Sequence, residues 1–304
     1  MIFTKEERTN VDSVEGSFVE YKNRHPEEDD FLVEKFVVPT SYKYEMKPLK
    51  PMLTDEERQT AIDLAPWGYS FDLSNELSTD GIDSQSFDMS IVAGGRNDLL
   101  LRLSMLSYIF DHFDISGRWI DIATNCGIIP ILLAKGRVLS ATASDFAQIN
   151  ADKGNFLKKL SGDEKCRFET RDAFEHLRNT PENSIDFVSA LGIFYHLSNP
   201  IEMLELMYKT TRKYVLVDTI IHNFAFSGWI QTISRHIKHP QLAHANDTRK
   251  ILELHPTYRG MIDALYQVGF QSVVEVLPND ELLAAFPDTI YHSRNRRMLL
   301  ASKV

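Results

Sequence analysis

The stretch Arg118-Trp-Ile-Asp-Ile-Ala-Thr-Asn-Cys-Gly127 decides the fold of this chain. It begins as an apolar strand and ends in a glycine turn, and the following Ile128-Ile-Pro-Ile-Leu-Leu-Ala134 predicts the start of a buried helix. A strand, a tight turn and a helix in this order form a cradle for a nucleotide-like ligand, because backbone N–H groups at the helix start point into the turn. We therefore expect a ligand-binding crevice at the carboxyl end of this strand.

Alternating strands and helices follow this stretch and predict an α/β fold with a parallel sheet. Further strands and helices are predicted at Arg137–Ser144, Ala147–Lys159, Cys166–Thr170, Ile185–Leu191, Pro200–Thr210 and Tyr214–Asp218. After a helix at Tyr258–Val268, the predicted strands Ser272–Leu277 and Arg297–Ser302 favour an antiparallel hairpin added to the parallel sheet.

The chain before the sheet is expected to be a separate, helical region. We expect residues 1–95 to form an N-terminal extension that caps the substrate side, and residues 96–304 to form the ligand-binding domain. Thr54-Asp-Glu-Glu57 is a capping box and predicts a helix start. Residues 66–95 make a long polar connection, which is typical of functional or linking segments.

The segment 220–257 interrupts the alternation of strands and helices. It contains Phe224, Phe226, Trp229 and several histidines, and Ser227–Ile237 predicts one helix. An aromatic and histidine-rich insertion is typical of a lid over a substrate, and we interpret the segment as a lid. Plain helical packing is the alternative interpretation.

Composition bounds the class of protein and its partners. The formal net charge of −10 weighs against a broad nucleic-acid surface, because phosphate binding needs clustered Lys and Arg. No apolar run approaches the ~20 residues of a membrane helix. The two cysteines, Cys126 and Cys166, do not make a disulfide framework, and the N-terminus does not resemble a signal peptide. We expect a cytoplasmic protein that acts on a small or carrier-bound molecule, in an oligomeric state that the sequence leaves open.

An acidic residue follows the second predicted strand of the sheet. Asp145 lies at the carboxyl end of that strand, where a carboxylate can accept hydrogen bonds from both hydroxyls of a ribose. The same position serves NAD(P) and S-adenosylmethionine (SAM), but Ala123-Thr-Asn-Cys-Gly127 lacks the Gly-x-Gly-x-x-Gly pattern that admits a pyrophosphate. This favours SAM. A surface aspartate that merely closes the strand is the alternative.

Two further groups of residues follow the third and fourth predicted strands. In Arg171-Asp-Ala-Phe174, Asp172 can bond an adenine amine, or it can be the N-cap of a helix. Tyr195 and His196 follow the fourth strand, where a reacting group meets its partners in an open α/β sheet. Packing and capping are their alternative roles. The histidines and cysteines lack the spacing of a metal site, so no metal is expected.

From about Arg118 to Val304 the chain resembles the class I SAM-dependent methyltransferases. Asp121–Gly127 is similar to their SAM-binding motif, and Leu191–His196 to their motif after the fourth strand. The resemblance implies a Rossmann-like sheet with a reversed last strand. It also implies SAM as cofactor, bound by Asp121, Ala123, Asn125, Gly127, Asp145, Phe146, Asp172, Ala173 and Leu191.

The sequence departs from this family in the turn. The family usually has Gly-x-Gly-x-Gly there, whereas this chain has Ala123, Asn125 and Gly127. Asn125 places a side-chain amide close to the expected methionine moiety, where it replaces backbone contacts or holds the ligand in an unusual pose. In addition, Phe194–Pro200 is similar to the branch that transfers carboxymethyl groups to the wobble uridine of tRNA.

The first functional hypothesis is a methyltransferase acting on a small or carrier-bound metabolite. Tyr195 or His196 would orient or deprotonate the acceptor, since histidine titrates near neutral pH. The N-terminal region and the 220–257 segment would supply the acceptor pocket, lined by Trp67, Tyr69 and Trp229.

Three other hypotheses remain open. In a SAM-consuming cyclase, the methionine amine attacks its own γ-carbon, which releases methylthioadenosine and a cyclic amino acid of the azetidine-2-carboxylate type. Asn125 and Tyr195 would then bind or deprotonate the amine. The others are a tRNA-modifying transferase and a SAM-binding sensor without turnover.

Overall fold

The computed structural model describes residues 33–83, 95–224, 226–234 and 251–303. In these residues an eight-stranded sheet has the strand order β1-β9-β10-β6-β5-β2-β3-β4, and β7 pairs with β8 in a separate hairpin. The strands are β1 Glu34–Val38, β2 Arg118–Ile122, β3 Ser140–Asp145, β4 Cys166–Thr170, β5 Ile185–Leu191, β6 Thr211–Ile220, β7 Trp229–Ser234, β8 Ile251–Pro256, β9 Ser272–Pro278 and β10 Arg296–Ser302.

Helices connect these strands and cover both faces of the sheet. They are α1 Asp55–Asp63, α2 Thr79–Asp83, α3 Arg96–His112, α4 Ile128–Leu133, α5 Gln148–Ser161, α6 Ala173–Arg178, α7 Pro200–Thr210, α8 Tyr258–Val268 and α9 Asp280–Ala284. Short 3₁₀ turns lie at Thr40–Tyr42, Phe194–His196 and Ile290–Ser293. In the described part of the chain, no helix has the length and apolar character required to cross a membrane.

The sheet confirms the predicted Rossmann-like arrangement. Strands β4, β3, β2, β5 and β6 are parallel neighbours, and β10 runs antiparallel to both β6 and β9. Successive side chains of a strand point to opposite faces, so Trp119 and Ile120 pack into two separate apolar cores. All seven residues of β5 are buried, as expected for a central strand covered on both faces.

The N-terminal region does not consist of short helices alone. Glu34–Val38 is a strand that pairs in parallel with β9, with Glu34 opposite Val274. It therefore extends the sheet at the edge that β9 would otherwise leave open. The capping box is confirmed at α1, where Thr54 Oγ1 accepts from the N–H of Glu57 and the Glu57 side chain accepts from the N–H of Thr54. The division of the chain at residue 95 stays a prediction.

The helix predicted at Ser227–Ile237 is wrong for the residues that the structure describes. Trp229–Ser234 is a strand, antiparallel to Ile251–Pro256. Its aromatic and β-branched side chains favour a strand, and the partner that stabilises it lies far along the sequence. Residues 235–250, and residues 84–94 of the predicted connection 66–95, lie outside the described residues. The interpretation of 220–257 as a lid stays a prediction.

Candidate functional site

A cavity opens where the strand order of the sheet reverses. β2 lies between β3 and β5, so the connection from β2 to β3 and the connection from β4 to β5 run in opposite directions and leave a crevice at the carboxyl ends of β2 and β5. The cavity has a volume of about 380 Å³. Nine of the eleven site residues predicted from the sequence line it: Ala123, Asn125, Asp145, Phe146, Asp172, Ala173, Leu191, Tyr195 and His196.

The turn after β2 keeps a glycine-like conformation without three glycines. Ala123, Asn125 and Gly127 all adopt the left-handed region, with φ of 53°, 57° and 75°. These are the three positions at which the Gly-x-Gly-x-Gly pattern places glycine. Asparagine tolerates this conformation, whereas for alanine it costs about 1–2 kcal/mol of free energy. At Gly127 only glycine fits, because a Cβ would lie 2.3 Å from a ring carbon of Phe168.

Asp121 stabilises this turn through hydrogen bonds of its buried carboxylate. Its carboxylate accepts hydrogen bonds from Thr124 Oγ1 at 2.6 Å and from Ser189 Oγ at 2.5 Å. Burial raises the pKa of Asp121 to about 6, although these hydrogen bonds act in the opposite direction. Asp121 and Gly127 do not line the cavity. Asp121 joins the turn to β5, and a direct role in ligand binding stays a prediction for both residues.

Asp145 is the acidic group at the carboxyl end of β3. Its Oδ1 accepts hydrogen bonds from the backbone N–H of Ala147 and from Asn150 Nδ2, and its Oδ2 accepts one from the N–H of Asn125, all at 3.0 Å. A carboxylate accepts about four hydrogen bonds, so Oδ2 retains capacity for a ligand. Burial raises the pKa of Asp145 despite these hydrogen bonds. Ala123, Asn125 and Asp145 form what we call the turn end of the cavity.

Asp172 is confirmed as a helix N-cap, and its bond to an adenine amine stays a prediction. It lines the cavity, and its Oδ1 also accepts a hydrogen bond from the backbone N–H of Glu175 at 3.0 Å, which makes it the N-cap of α6. Phe146 is 39% exposed and lines the cavity.

Tyr195 and His196 lie on the 3₁₀ turn that follows β5. Their rings are 4.2 Å apart, and His196 Nδ1 lies 3.3 Å from Oε1 of Glu253 in the β7–β8 hairpin. His255 Nε2 contacts the other oxygen of Glu253 at 3.0 Å. Burial would raise the pKa of Glu253, but the two histidines lower it to about 2. Glu253 was not predicted from the sequence, where its only signal is the histidine-rich segment around it.

A buried group of charges lies at the other end of the cavity and was also missed. Asp218 Oδ2 lies 2.8 Å from Arg102 Nε, and Asp218 Oδ1 accepts from Arg296 Nε at 2.9 Å. Arg102 Nη1 donates to the hydroxyl of Tyr69 at 2.7 Å. These side chains come from α3, β6 and β10. We call Arg102, Asp218 and Arg296 the arginine end of the cavity.

Of the three aromatic residues predicted to line an acceptor pocket, only Tyr69 lines this cavity. Trp67 is fully buried instead: its Nε1 donates to the carbonyl of Ala61 at 3.0 Å, and its ring meets Phe71 edge-on. Trp229 is half-buried and packs against the second apolar core. Trp67 therefore stabilises the N-terminal layer and does not contact a ligand in this cavity.

In comparison with known proteins, no family model and no curated protein matches this sequence. Solved structures do match it. The N-terminal domain of EvdMO1 with SAH bound is 15% identical over 83% of this chain and 98% of that one, with a TM-score of 0.56. The same domain in the presence of SAH and D-fucose is 14% identical over 83% and 97%, with a TM-score of 0.58.

A SAM-dependent methyltransferase from Mesorhizobium loti is 17% identical over 68% of this chain and 96% of that one, with a TM-score of 0.47. The two EvdMO1 matches, at 15% and 14% identity and with TM-scores above 0.5, show the fold alone. The chain therefore has the Rossmann-like fold predicted from the sequence, with a parallel sheet and a reversed β10.

Proposed function

We propose that this chain is a SAM-dependent transferase that moves a methyl group to a small or carrier-bound acceptor. The observation that carries the proposal is Asp145, a carboxylate held by three hydrogen bonds at the switch point and facing the cavity. The matching EvdMO1 domain, in its crystal structure, has SAH bound.

The residues of the cavity fit the parts of SAM. Asp145 Oδ2 can accept from a ribose hydroxyl, and the Asp172 carboxylate can accept from the adenine amine. Phe146 and Leu191 offer apolar surface to a purine ring. The side-chain oxygen of Asn125 is buried and accepts no hydrogen bond from the described residues, which suits the ammonium group of an amino acid.

Methyl transfer asks little of the protein beyond alignment and proton removal. SAM, when bound, supplies a methyl group that its sulfonium charge already activates. The chain aligns the acceptor over the cavity and excludes water from it. His196 is the candidate base, because the Glu253 carboxylate near Nδ1 favours a proton there and leaves Nε2 as the acceptor. Glu253 is then a positioning residue.

The intramolecular alternative is favoured by one observation. The unpaired oxygen of Asn125 is placed to bind an amine, which is the nucleophile of the cyclase hypothesis. That reaction needs no acceptor. The products therefore separate the two hypotheses, since one consumes SAM alone and the other requires a second substrate.

The test is an incubation of the purified full-length protein with SAM, with and without a protein-free extract of small molecules. We expect S-adenosylhomocysteine to accumulate only when the extract is present. Methylthioadenosine formed from SAM alone would replace methyl transfer with cyclisation. Turnover in neither case, together with tight calorimetric binding of SAM, would identify a sensor.

A further inference from the structure

At the arginine end, two positively charged side chains contact one negatively charged side chain. Arg102 and Arg296 both pair with the single carboxylate of Asp218, and their side chains are 4% and 8% exposed. Burial would raise the pKa of Asp218, but Arg296 and Arg102 lower it, so it is ionised. A second anion bound in the cavity would balance this charge, since buried charges are costly unless they are paired.

The two guanidinium groups are accessible from the cavity. Both arginines line it, together with Tyr69 and Tyr195. Among the described residues, Arg296 forms its hydrogen bond through Nε, which leaves its terminal nitrogens available. A guanidinium group presents a planar fork of donors that matches a carboxylate.

Gly192 brings Arg296 close to the end of β5. A Cβ at Gly192 would lie 2.8 Å from Arg296 Nη2 and 3.8 Å from the hydroxyl of Tyr195. Glycine is needed here both for this close approach and for its φ of 96°. The guanidinium group therefore lies directly beside the candidate reacting residues that follow β5.

The acidic groups of the cavity lie mainly elsewhere. Asp145 and Asp172 end or follow β3 and β4, on the other side of the switch point. Asp98 lies one helical turn before Arg102, and its Oδ1 accepts a hydrogen bond from the backbone N–H of Ile290 at 3.1 Å. Two of the three carboxylates that line the cavity thus end or follow β3 and β4, whereas Arg102 and Arg296 come from α3 and β10.

We propose that the arginine end binds a carboxylate carried by the acceptor, and so selects acidic small molecules as substrates. Arg296 and Arg102 would hold the carboxylate and orient the rest of the acceptor towards Tyr195 and His196. This inference rests on the proposed function, which assigns the turn end of the same cavity to SAM. It adds the chemical class of the second substrate.

The probes are benzoate and benzamide, which have nearly the same shape and differ in charge. Each is titrated into the full-length protein, with and without saturating SAH, and binding is followed by ligand-observed NMR. We expect benzoate to bind at least about tenfold more tightly than benzamide, because hydrogen bonds to charged groups are the strong ones. Equal binding of both probes by the wild-type protein would overturn the inference.

Arg296→Gln tests the assignment, and Arg297→Gln is the matched control. Arg297 is the next residue and also pairs with a buried carboxylate, Glu275, but it does not line the cavity. We expect Arg296→Gln to abolish the preference for benzoate and Arg297→Gln to keep it. An Arg296→Gln variant that keeps the preference would contradict the inference.

Binding of SAH distinguishes the two proposals. If Arg296→Gln lowers the affinity for SAH and leaves benzoate binding unchanged, the arginine end holds the carboxylate of the cofactor, and the inference is overturned. If the wild-type protein prefers benzoate without binding SAH or SAM, the anion site stands and the proposed function fails. Should Arg296→Gln not fold, the comparison of the two probes on the wild-type protein decides.

Discussion

The residues of the turn end lie close together in the sequence, whereas those of the arginine end come from three distant elements, α3, β6 and β10. The turn after β2 contains Ala123 and Asn125, and the next strand, β3, ends at Asp145. Arg102, Asp218 and Arg296 meet only when the sheet is complete. The first end depends on backbone conformation, and the second on buried charge. One end can therefore change in sequence without altering the contacts of the other.

The largest effect is expected from Gly127→Ala, which changes the turn that contains Ala123 and Asn125. The new Cβ would meet Phe168 in a left-handed conformation, so the free energy of unfolding should fall by about 3–4 kcal/mol in urea titrations. Gly136→Ala is the control, because Gly136 has a φ of 77° and open space around it. It should cost only about 1 kcal/mol. Equal losses for both variants would remove the steric argument.

Asp121, which joins the turn to β5, should make stability depend on pH. Its pKa is about 6 when folded and is lower when unfolded, so the folded state binds the proton more tightly. This contribution is present at low pH and is lost as the pH rises from about 4 to about 6, by up to ~3 kcal/mol. Asp121→Asn should remove it. The measurement is the free energy of unfolding of the wild-type protein and of Asp121→Asn between about pH 4 and about pH 6. The same pH dependence in both proteins would contradict the assignment.

Glu253→Gln tests how the hairpin positions His196. Loss of the carboxylate should lower kcat about 10- to 100-fold and leave the affinity for SAM unchanged, because a residue that only positions the base supplies part of the roughly 100- to 10,000-fold that general-base catalysis contributes. Glu253→Asp should restore part of the rate. Glu182→Gln removes an exposed ion pair with Lys209 and serves as the control. A normal kcat in Glu253→Gln would make the contact structural.

The smallest effect is expected from Ala123→Gly, which restores a glycine to the turn. Relief of the left-handed alanine should stabilise the protein by up to about 1 kcal/mol. Ala134→Gly is the control, because Ala134 has an ordinary helical φ of −71°, and there glycine should destabilise by about 0.5–1 kcal/mol. A loss of stability in Ala123→Gly would show that the strain is absent.

The contrast between the two ends also explains what the sequence could predict. The bounds of β4, β5 and α7 agree with the structure, because their apolar patterns and caps are local signals. The position of Asp145 also agrees with the structure, because the end of a strand is a local signal. Strand β1 and the β7–β8 hairpin were missed, since each depends on a partner distant in the chain. Arg102 and Glu253 carry no local pattern, and only folding brings them to the cavity.

The affinity for SAM, measured by calorimetry on the wild-type protein and on Asp145→Ala, tests the central claim most directly. We predict that the wild-type protein binds SAM and that Asp145→Ala binds it more weakly by about 1–3 kcal/mol, because a hydrogen bond to a buried carboxylate is lost. An affinity unchanged by Asp145→Ala, or a wild-type protein that does not bind SAM, would contradict the account.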